Sequence, residues 1–261
     1  MNHLDKILLE TRKSVTQLKK TISIAGLEDC INEFSKRRFI ETLKRKTSLK
    51  EIAVIAEIKR SSPSKGVIRE NFILEDIARD YADNGATCLS ILTDEPFFGG
   101  NIEYVERARN TVKIPILRKD FIIDSFQVTE TKARGADCIL LIVAALDDHE
   151  LKDFYDQSKA IDLDVLIEVH TLEELERALK ISPELLGINN RNLSSFEVDI
   201  QNSIDLMKKI PSDITVISES GILKQPDLKN LSAAGIYGFL IGEKFMRAES
   251  PGQDLLELIS L

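Results

Sequence analysis

Short apolar segments recur from about residue 52 to the end of the chain, and amphipathic segments lie between them. Several of the apolar segments are too short for helices, rich in β-branched residues and almost continuously apolar, as strands buried on both faces are. The intervening segments, such as 74–81 and 172–179, repeat apolar residues at i, i+3 and i+4 and predict helices with one buried face. The eight predicted strands are 52–56, 87–92, 114–117, 138–143, 165–167, 185–188, 215–217 and 238–241.

Eight strand–helix alternations predict parallel βα units. We expect these units to close into a (β/α)8 TIM barrel of the α/β class, because closure removes both edges of the sheet. A doubly wound open sheet is the alternative that the pattern alone leaves open. Gly85, Gly135 and Gly235 precede three of the strands, where a left-handed residue commonly ends the preceding helix.

The first 50 residues do not follow this repeat. One helical stripe of apolar and small residues is followed by a second predicted helix over 31–46, whose end is strongly basic. We interpret the basic residues as a solvated helix face. The alternative is that this extension packs over the barrel mouth and helps to cover a substrate. The stripe consists of Leu4, Ile7, Leu8, Thr11, Val15 and Leu18, and the basic residues are Lys36, Arg37, Arg38, Lys44, Arg45 and Lys46.

Length and composition fit one globular domain over 1–261, with a helical extension at 1–50 and the barrel at 51–261. The formal net charge of −8 argues against non-specific binding to nucleic acid. Cys30, Cys88 and Cys138 form no metal-binding or disulfide pattern, and we interpret Cys88 and Cys138 as core residues. Because the longest apolar run is too short to cross a bilayer and no signal segment is recognisable, we expect a cytoplasmic protein without a membrane partner.

Ionisable and amide side chains follow most of the predicted strands. Functional groups of a parallel barrel gather at the carboxyl ends of its strands. Residues two apart on a strand share a face, so Glu57 is in phase with both Ile55 and Lys59. Charges at the ends of apolar strands are costly to bury unless they are paired or used. We therefore predict a polar mouth, formed by Glu57, Lys59, Lys119, Glu168, Asn189, Arg191 and Glu219, above an apolar barrel interior.

Small residues after the last two strands predict a phosphate site. Ser220 and Gly221 follow the seventh strand, Gly242 and Glu243 follow the eighth, and each pair precedes a helical segment. Backbone N–H groups in such turns bind anions, and barrels commonly hold a phosphate after strands seven and eight. The sequence therefore predicts a phosphorylated small-molecule ligand.

The same strand ends resemble the signature motifs of the indole-3-glycerol phosphate synthase family. The resemblance runs from about residue 37 to the end, and the early helix fits the N-terminal extension of that family. The motifs are IAEIKRSSPSKG at 55–66, LTDEPFFGG at 92–100, LRKDF at 117–121, LIEVH at 166–170, GINNRNL at 187–193 and SESGI at 218–222.

This resemblance implies a carboxy-lyase of tryptophan biosynthesis. Its substrate would be 1-(2-carboxyphenylamino)-1-deoxyribulose 5-phosphate, and its products indole-3-glycerol phosphate, carbon dioxide and water. The resemblance implies neither a metal nor an organic cofactor. A monomer, and association with other enzymes of the tryptophan pathway, are both compatible with the sequence.

The resemblance also assigns roles. Lys119 would be the general acid that protonates the ribulose carbonyl, Glu168 the acid or base of the dehydration, and Lys59 a partner in proton transfer. Glu57, Glu219 and Asn189 would orient the lysines and the substrate hydroxyls. The remaining residues would bind substrate: Ser62, Pro63 and Arg191 its polar groups, Phe98, Phe121, Leu140 and Leu193 its aromatic ring, and Ser220, Gly221, Gly242 and Glu243 its phosphate.

Two further expectations concern ionisation. A lysine that donates a proton near neutral pH needs a lowered pKa, and Lys59 and Lys119 in one mouth would lower each other's pKa while the glutamates oppose this. We interpret His170 as a hydrogen-bonded structural residue at a strand end.

Two alternative functions remain at this point. A phosphoribosylanthranilate isomerase-like enzyme would need a cysteine or aspartate acid–base pair near the ends of strands one and five, where Glu57 and Glu168 stand instead. A non-catalytic sugar-phosphate sensor would be expected to lose one of Lys59, Lys119 and Glu168.

Overall fold

The computed structural model describes residues 3–63, 65–192 and 197–260. Within these ranges eight parallel strands form one closed barrel in the order β1-β8-β7-β6-β5-β4-β3-β2, which confirms the barrel over the open sheet. The predicted bounds differ from the observed ones by at most two residues, mainly because the strands continue into polar ends that hydropathy alone excludes. The strands are β1 (Ala53–Ile58), β2 (Cys88–Leu92), β3 (Ile116–Lys119), β4 (Cys138–Ile142), β5 (Asp164–Val169), β6 (Leu185–Asn189), β7 (Thr215–Glu219) and β8 (Gly238–Ile241).

Helices precede the barrel and connect its strands. A two-stranded hairpin, Ser61–Ser62 with Gly66–Val67, follows β1. Gly85, Gly135 and Gly235 have φ angles of +98°, +81° and +92°, which confirms the predicted left-handed turns. The helices are α1 (His3–Thr21), α2 (Ile24–Cys30), α3 (Phe39–Ser48), α4 (Leu74–Asp83), α5 (Glu95–Phe98), α6 (Glu103–Thr111), α7 (Ser125–Ala133), α8 (Asp148–Ala160), α9 (Leu172–Leu179), α10 (Gln201–Met207), α11 (Gln225–Ala233), α12 (Glu243–Arg247) and α13 (Pro251–Ile259).

Apolar side chains fill the barrel interior below the polar strand ends. Ile55, Leu117 and Leu166, each two residues before a charged residue, are fully buried in this interior cluster. Cys88 and Cys138 belong to the same cluster, as predicted for core cysteines. A second, larger cluster lies between the strands and the surrounding helices.

The N-terminal extension contacts both ends of the barrel. The first residues of α1 lie at the carboxyl ends of the strands, where they help to line a cavity. By contrast, α3 buries Phe39, Ile40 and Leu43 against the apolar barrel interior at its opposite end. The extension therefore reaches the mouth through α1 and closes the bottom of the barrel with α3.

The prediction of one helix over 31–46 was wrong, because α2 ends at Cys30 and α3 begins at Phe39. Tertiary partners hold the segment between them. Arg37 donates to the carbonyls of Arg109, Val112 and Ile114, and Lys36 forms ion pairs with Asp162 and Asp164. The interpretation of the basic run as a solvated face is therefore wrong for Lys36 and Arg37, whereas Arg38, Lys44 and Arg45 are exposed.

Among the described residues, no helix combines the length and apolarity that crossing a bilayer requires.

Candidate active site

A cavity of about 460 Å³ opens at the carboxyl ends of the barrel strands. Every predicted site residue within the described part of the chain lines it, whereas Leu193 lies outside the described residues. The cavity therefore brings together predicted site residues that are up to 186 positions apart in the sequence, from Glu57 to Glu243. The predicted residues that line it are Glu57, Lys59, Ser62, Pro63, Phe98, Lys119, Phe121, Leu140, Glu168, Asn189, Arg191, Glu219, Ser220, Gly221, Gly242 and Glu243.

Two lysines in this cavity are paired with carboxylates. The Nζ atom of Lys119 lies 2.9 Å from Oε2 of Glu168 and 3.3 Å from Oε2 of Glu219. Asn189 donates its side-chain amide to Oε1 of Glu168 at 3.3 Å. Just after β1, Nζ of Lys59 lies 2.5 Å from Oε2 of Glu57. The ends of β1, β3, β5 and β7 thus supply paired charges to one cavity, and β6 adds a neutral donor.

The pKa of Lys119 differs from the sequence-based expectation. Burial opposes its positive charge, but the carboxylates of Glu168, Glu219 and Glu57 outweigh this effect and raise its pKa above the ordinary lysine value. The expected lowering by a neighbouring lysine is therefore wrong for Lys119. Its nearest charged neighbours are anions from other strands, whereas Lys59 turns to Glu57 on its own strand.

The two carboxylates beside Lys119 have opposite ionisation behaviour. Burial disfavours the charge of Glu168, but the Lys119 ammonium outweighs this and holds its pKa well below the usual range. Burial raises the pKa of Glu219, and the nearby charge of Glu168 raises it further. Neither oxygen of Glu219 has a hydrogen-bond partner among the described residues. Glu168 is therefore ionised at neutral pH, whereas Glu219 binds a proton far more readily.

Two glycines leave space for the carboxyl groups of Glu219 and Glu57. A Cβ atom on Gly187 would collide with Oε1 of Glu219, and one on Gly242 would collide with the carboxyl group of Glu57. Gly242 was predicted as a phosphate-binding residue, and the structure adds this contact with Glu57. Gly187 was not predicted, although its position in the apolar β6 strand was an available signal.

We expect Gly187→Ala to lower kcat/KM by about 10- to 100-fold, because displacing a catalytic group by roughly an ångström has effects of this size. The added methyl group would push the Glu219 carboxylate away from Lys119. Steady-state kinetics measures the loss, and circular dichroism checks the fold. Gly26→Ala in α2, which does not line the cavity, is the control. A folded Gly187→Ala protein with wild-type kinetics would contradict the close fit.

The turn after β7 has a strained backbone that a buried asparagine stabilises. Ser220 and Gly221 both have left-handed φ angles, +67° and +81°. Asn190 donates its side-chain amide to the Ser220 carbonyl at 3.0 Å and accepts from the Ser203 hydroxyl at 2.8 Å. Asn190 was not predicted as part of the site. Alternation along β6 places it on the face opposite Asn189, which explains why it supports the turn without lining the cavity.

Two phenylalanine side chains, Phe98 and Phe121, form an aromatic part of the cavity wall. The rings of Phe98 and Phe121 are 6.3 Å apart between centroids. Phe98 ends the short helix α5, whose first turn is capped by Asp94: its Oδ1 accepts the backbone N–H groups of Phe97 at 2.8 Å and Phe98 at 3.1 Å. Asp94 therefore controls where the Phe98 ring lies.

The buried carboxyl group of Asp94 should make the stability of the protein depend on pH. Burial raises the pKa of Asp94 to about 6. Because the folded protein then binds this proton more tightly than the unfolded chain, stability falls as pH rises through about 4 to 6. Asn keeps the capping oxygen without the charge, so we expect Asp94→Asn to stabilise the protein by about 1–3 kcal/mol at pH 8 and little at pH 4. Urea unfolding at both pH values measures this difference, and an equal effect at both would contradict it.

Several residues of the cavity wall were not predicted from the sequence. Leu4 and Ile7 were recognised as one stripe of a helix, but nothing in the stripe shows that its partner is the mouth of the barrel. Lys244 also lines the cavity and is paired with Asp254 at 2.5 Å. Additional lining residues are His3, Lys65, Leu92, Asp120, Ile142, Val198, Ile222, Leu223, Leu240 and Ile241.

Comparison with known proteins gives one consistent result. The sequence model of the family described as "Indole-3-glycerol phosphate synthase" matches residues 4–258. The protein of that name from Polaromonas sp. is 48% identical over 259 residues, which are 99% of this chain and 98% of that protein. The one from Burkholderia lata is 46% identical over 255 residues, 98% of each chain. The solved structure of 3-hexulose-6-phosphate synthase from Salmonella typhimurium has a TM-score of 0.63 at 10% identity, covers 80% of this chain and 98% of that one, and supports the fold alone.

Proposed function

Since this chain belongs to the indole-3-glycerol phosphate synthase family, we propose that the cavity at its barrel mouth performs the chemistry of that family with the residues described above. The chain is a carboxy-lyase of tryptophan biosynthesis, which cyclises, decarboxylates and dehydrates 1-(2-carboxyphenylamino)-1-deoxyribulose 5-phosphate. Similarity to synthases over nearly the whole chain favours this activity over the isomerase and sensor alternatives. The observation that carries the residue roles is the position of Lys119 between Glu168 and Glu219.

Lys119 acts as the general acid in ring closure. As the anthranilate ring carbon attacks the ribulose carbonyl, negative charge develops on the carbonyl oxygen, and a buried ammonium group stabilises that charge strongly. The raised pKa of Lys119 keeps it protonated until the attack begins. The alkoxide that forms is a much stronger base than the carbonyl, so the proton moves to it during the attack. Loss of the carboxylate as carbon dioxide then restores the aromatic ring.

Glu168 serves the dehydration step. Its low pKa leaves it ionised and able to accept a proton, while Asn189 and Lys119 hold its two oxygens. Lys59 assists proton transfer, and Glu57 orients its ammonium group. The carboxyl group of Glu219 is paired with Lys119 through Oε2 but accepts no hydrogen bond among the described residues, so we assign it to a substrate hydroxyl. The network thus provides both a proton donor and a proton acceptor within one cavity.

Two groups of lining residues would orient the substrate, one at its phosphate and one at its aromatic ring. The turn at Ser220 and Gly221 and the one at Gly242 and Glu243 offer backbone N–H groups to the phosphate. The Phe98 and Phe121 rings and Leu140 would contact the anthranilate ring, with α1 covering the opening. Ser62, Pro63 and Arg191 also line the cavity, and we assign Ser62 and Arg191 to the polar groups of the substrate. Leu193 retains its proposed place beside the ring on the resemblance alone.

We propose a cytoplasmic monomer in which the N-terminal extension and the barrel act together as one domain, since residues of α1 and of the strand ends line the same cavity. Association with other enzymes of the pathway would then not be required for turnover. Sedimentation velocity combined with an activity measurement at the same protein concentration tests this proposal.

The direct test is the indole fluorescence that appears when the substrate is added to the purified protein. We expect a rise that depends on enzyme concentration and stops when the substrate is consumed. A variant with Lys59 and Lys119 both replaced by methionine serves as the matched blank. If the folded wild-type protein gave no more signal than this blank, the proposed residue roles would be wrong.

A further inference from the structure

His170 is buried directly behind Glu168. It follows β5 two residues after Glu168, and its side chain is only 8% exposed. Its Nδ1 atom forms a hydrogen bond of 3.1 Å with Oε2 of Glu174 in α9, and its Nε2 atom lies 3.3 Å from Oε1 of Glu168, an ion-pair contact without hydrogen-bond geometry. The backbone N–H of His170 donates to the same Glu174 oxygen at 2.6 Å, and Asn202 donates to its carbonyl at 3.1 Å. The ring is therefore fixed between two carboxylates.

This position favours the imidazolium form. A neutral imidazole carries one N–H group, so one of its nitrogens would present a lone pair to a carboxylate. The imidazolium presents an N–H group to both. Burial disfavours its charge, but the contacts with Glu168 and Glu174 outweigh burial and raise the pKa of His170 to about 10.

We propose that His170, held by Glu174, is the positioning residue that keeps Glu168 ionised and correctly oriented until Glu168 accepts a proton in the dehydration step. This inference rests on the role proposed for Glu168 above. His170 does not line the cavity, so it acts through Glu168 and not on the substrate.

The need for a second cation follows from the charges around Glu168. Lys119 from β3 is the other cation that contacts it, Asn189 from β6 contributes a neutral amide, and Glu219 from β7 opposes its charge. When Lys119 gives up its proton, its charge no longer compensates Glu168. The substrate also brings a carboxylate and a phosphate into the site. His170 remains charged through ring closure, so that Glu168 is still ionised when the dehydration step begins.

The protonation of His170 can be measured without any activity. We expect ¹⁵N NMR of the imidazole side chains to show both nitrogens of His170 protonated at pH 8, and Glu174→Gln to lower the pH at which one proton is lost. Glutamine keeps the oxygen that accepts from His170 but removes its charge. Titration of His170 near the ordinary histidine pKa of about 6.5 would overturn the inference.

Kinetics then separates positioning from simple structural support. Loss of a neighbouring cation raises a carboxylate pKa by roughly one unit or more. We therefore expect His170→Asn to move the acid limb of the kcat/KM profile about one unit upward and to lower kcat with little change in KM. His149→Asn, at an exposed position on α8 paired with Asp153, is the matched control and should retain the wild-type profile.

The outcomes distinguish this inference from the proposed function. A folded His170→Asn protein with the wild-type pH profile would overturn the role of His170, while the wild-type fluorescence assay would still stand by itself. If the single variant fails to fold, His170→Asn combined with Glu174→Gln removes the cation without leaving Glu174 buried and unpaired. We expect the same shift of the acid limb in that double variant, and its absence there would equally reject the proposal.

Discussion

We expect Lys119→Met to lower kcat by about 10²- to 10⁴-fold, the range typical of a positioned general acid. Methionine keeps much of the length and apolar volume of lysine but provides neither a proton nor a charge. The ammonium group is used mainly where negative charge develops in the transition state, so KM should change much less than kcat. Steady-state kinetics by indole fluorescence measures both constants.

The variant should remain folded. Removing Lys119 takes away the main cation beside Glu168 and Glu219, and we expect buried Glu219, whose pKa is already raised, to take up a proton, while His170 still compensates the charge of Glu168. Lys208→Met, at an exposed position paired with Asp205 on the surface, is the matched control. Turnover of Lys119→Met within threefold of the wild type would refute the role of Lys119 as the acid.

The barrel was predictable because its signal is local and periodic. Apolar runs such as 138–143 and 185–188 predict strands wherever both faces of a sheet are buried. The polar strand ends were predictable for the same reason, since alternation places Glu57 above Ile55 and Glu168 above Leu166. The chain pattern and the barrel geometry together therefore predict which residues meet in the mouth.

The N-terminal extension was less predictable because its structure depends on distant partners. The sequence of α3 predicts one apolar face, but it would do so equally if the helix covered the mouth or the bottom of the barrel. Lys36 and Arg37 interrupt a sequence that otherwise favours a helix, because they bind groups near Asp164 and Val112. Such partners lie more than 70 residues away, and no periodicity reveals them.

The ionisation of the site also required the structure. The sequence places lysines and glutamates in one mouth, but their pKa values depend on which pairs come within a few ångströms. Glu57 is close enough to pair with Lys59 at 2.5 Å, which leaves Lys119 to Glu168 and Glu219. The sequence likewise does not show that His170 lies between two carboxylates. Glu174 holds the imidazole ring, and Glu168 lines the cavity.

Glu168→Gln and Glu219→Gln provide the second large test, because their effects should differ in both size and pH dependence. Glu168 is held ionised, so glutamine removes a charge that the enzyme uses, and we expect kcat/KM to fall by about 10²- to 10⁴-fold at every pH.

Glu219 has a raised pKa, and glutamine resembles its protonated form. We therefore expect Glu219→Gln to lose less than about tenfold at pH 6 and progressively more as the pH rises, because only then does the wild type carry the charge that glutamine lacks. Complete kcat/KM profiles of the wild type and both variants measure this difference, and Asp205→Gln on the surface checks for general effects of charge removal. Equal losses in both variants across the pH range would show that the two carboxylates beside Lys119 share one ionisation state, contrary to the asymmetry that their surroundings impose.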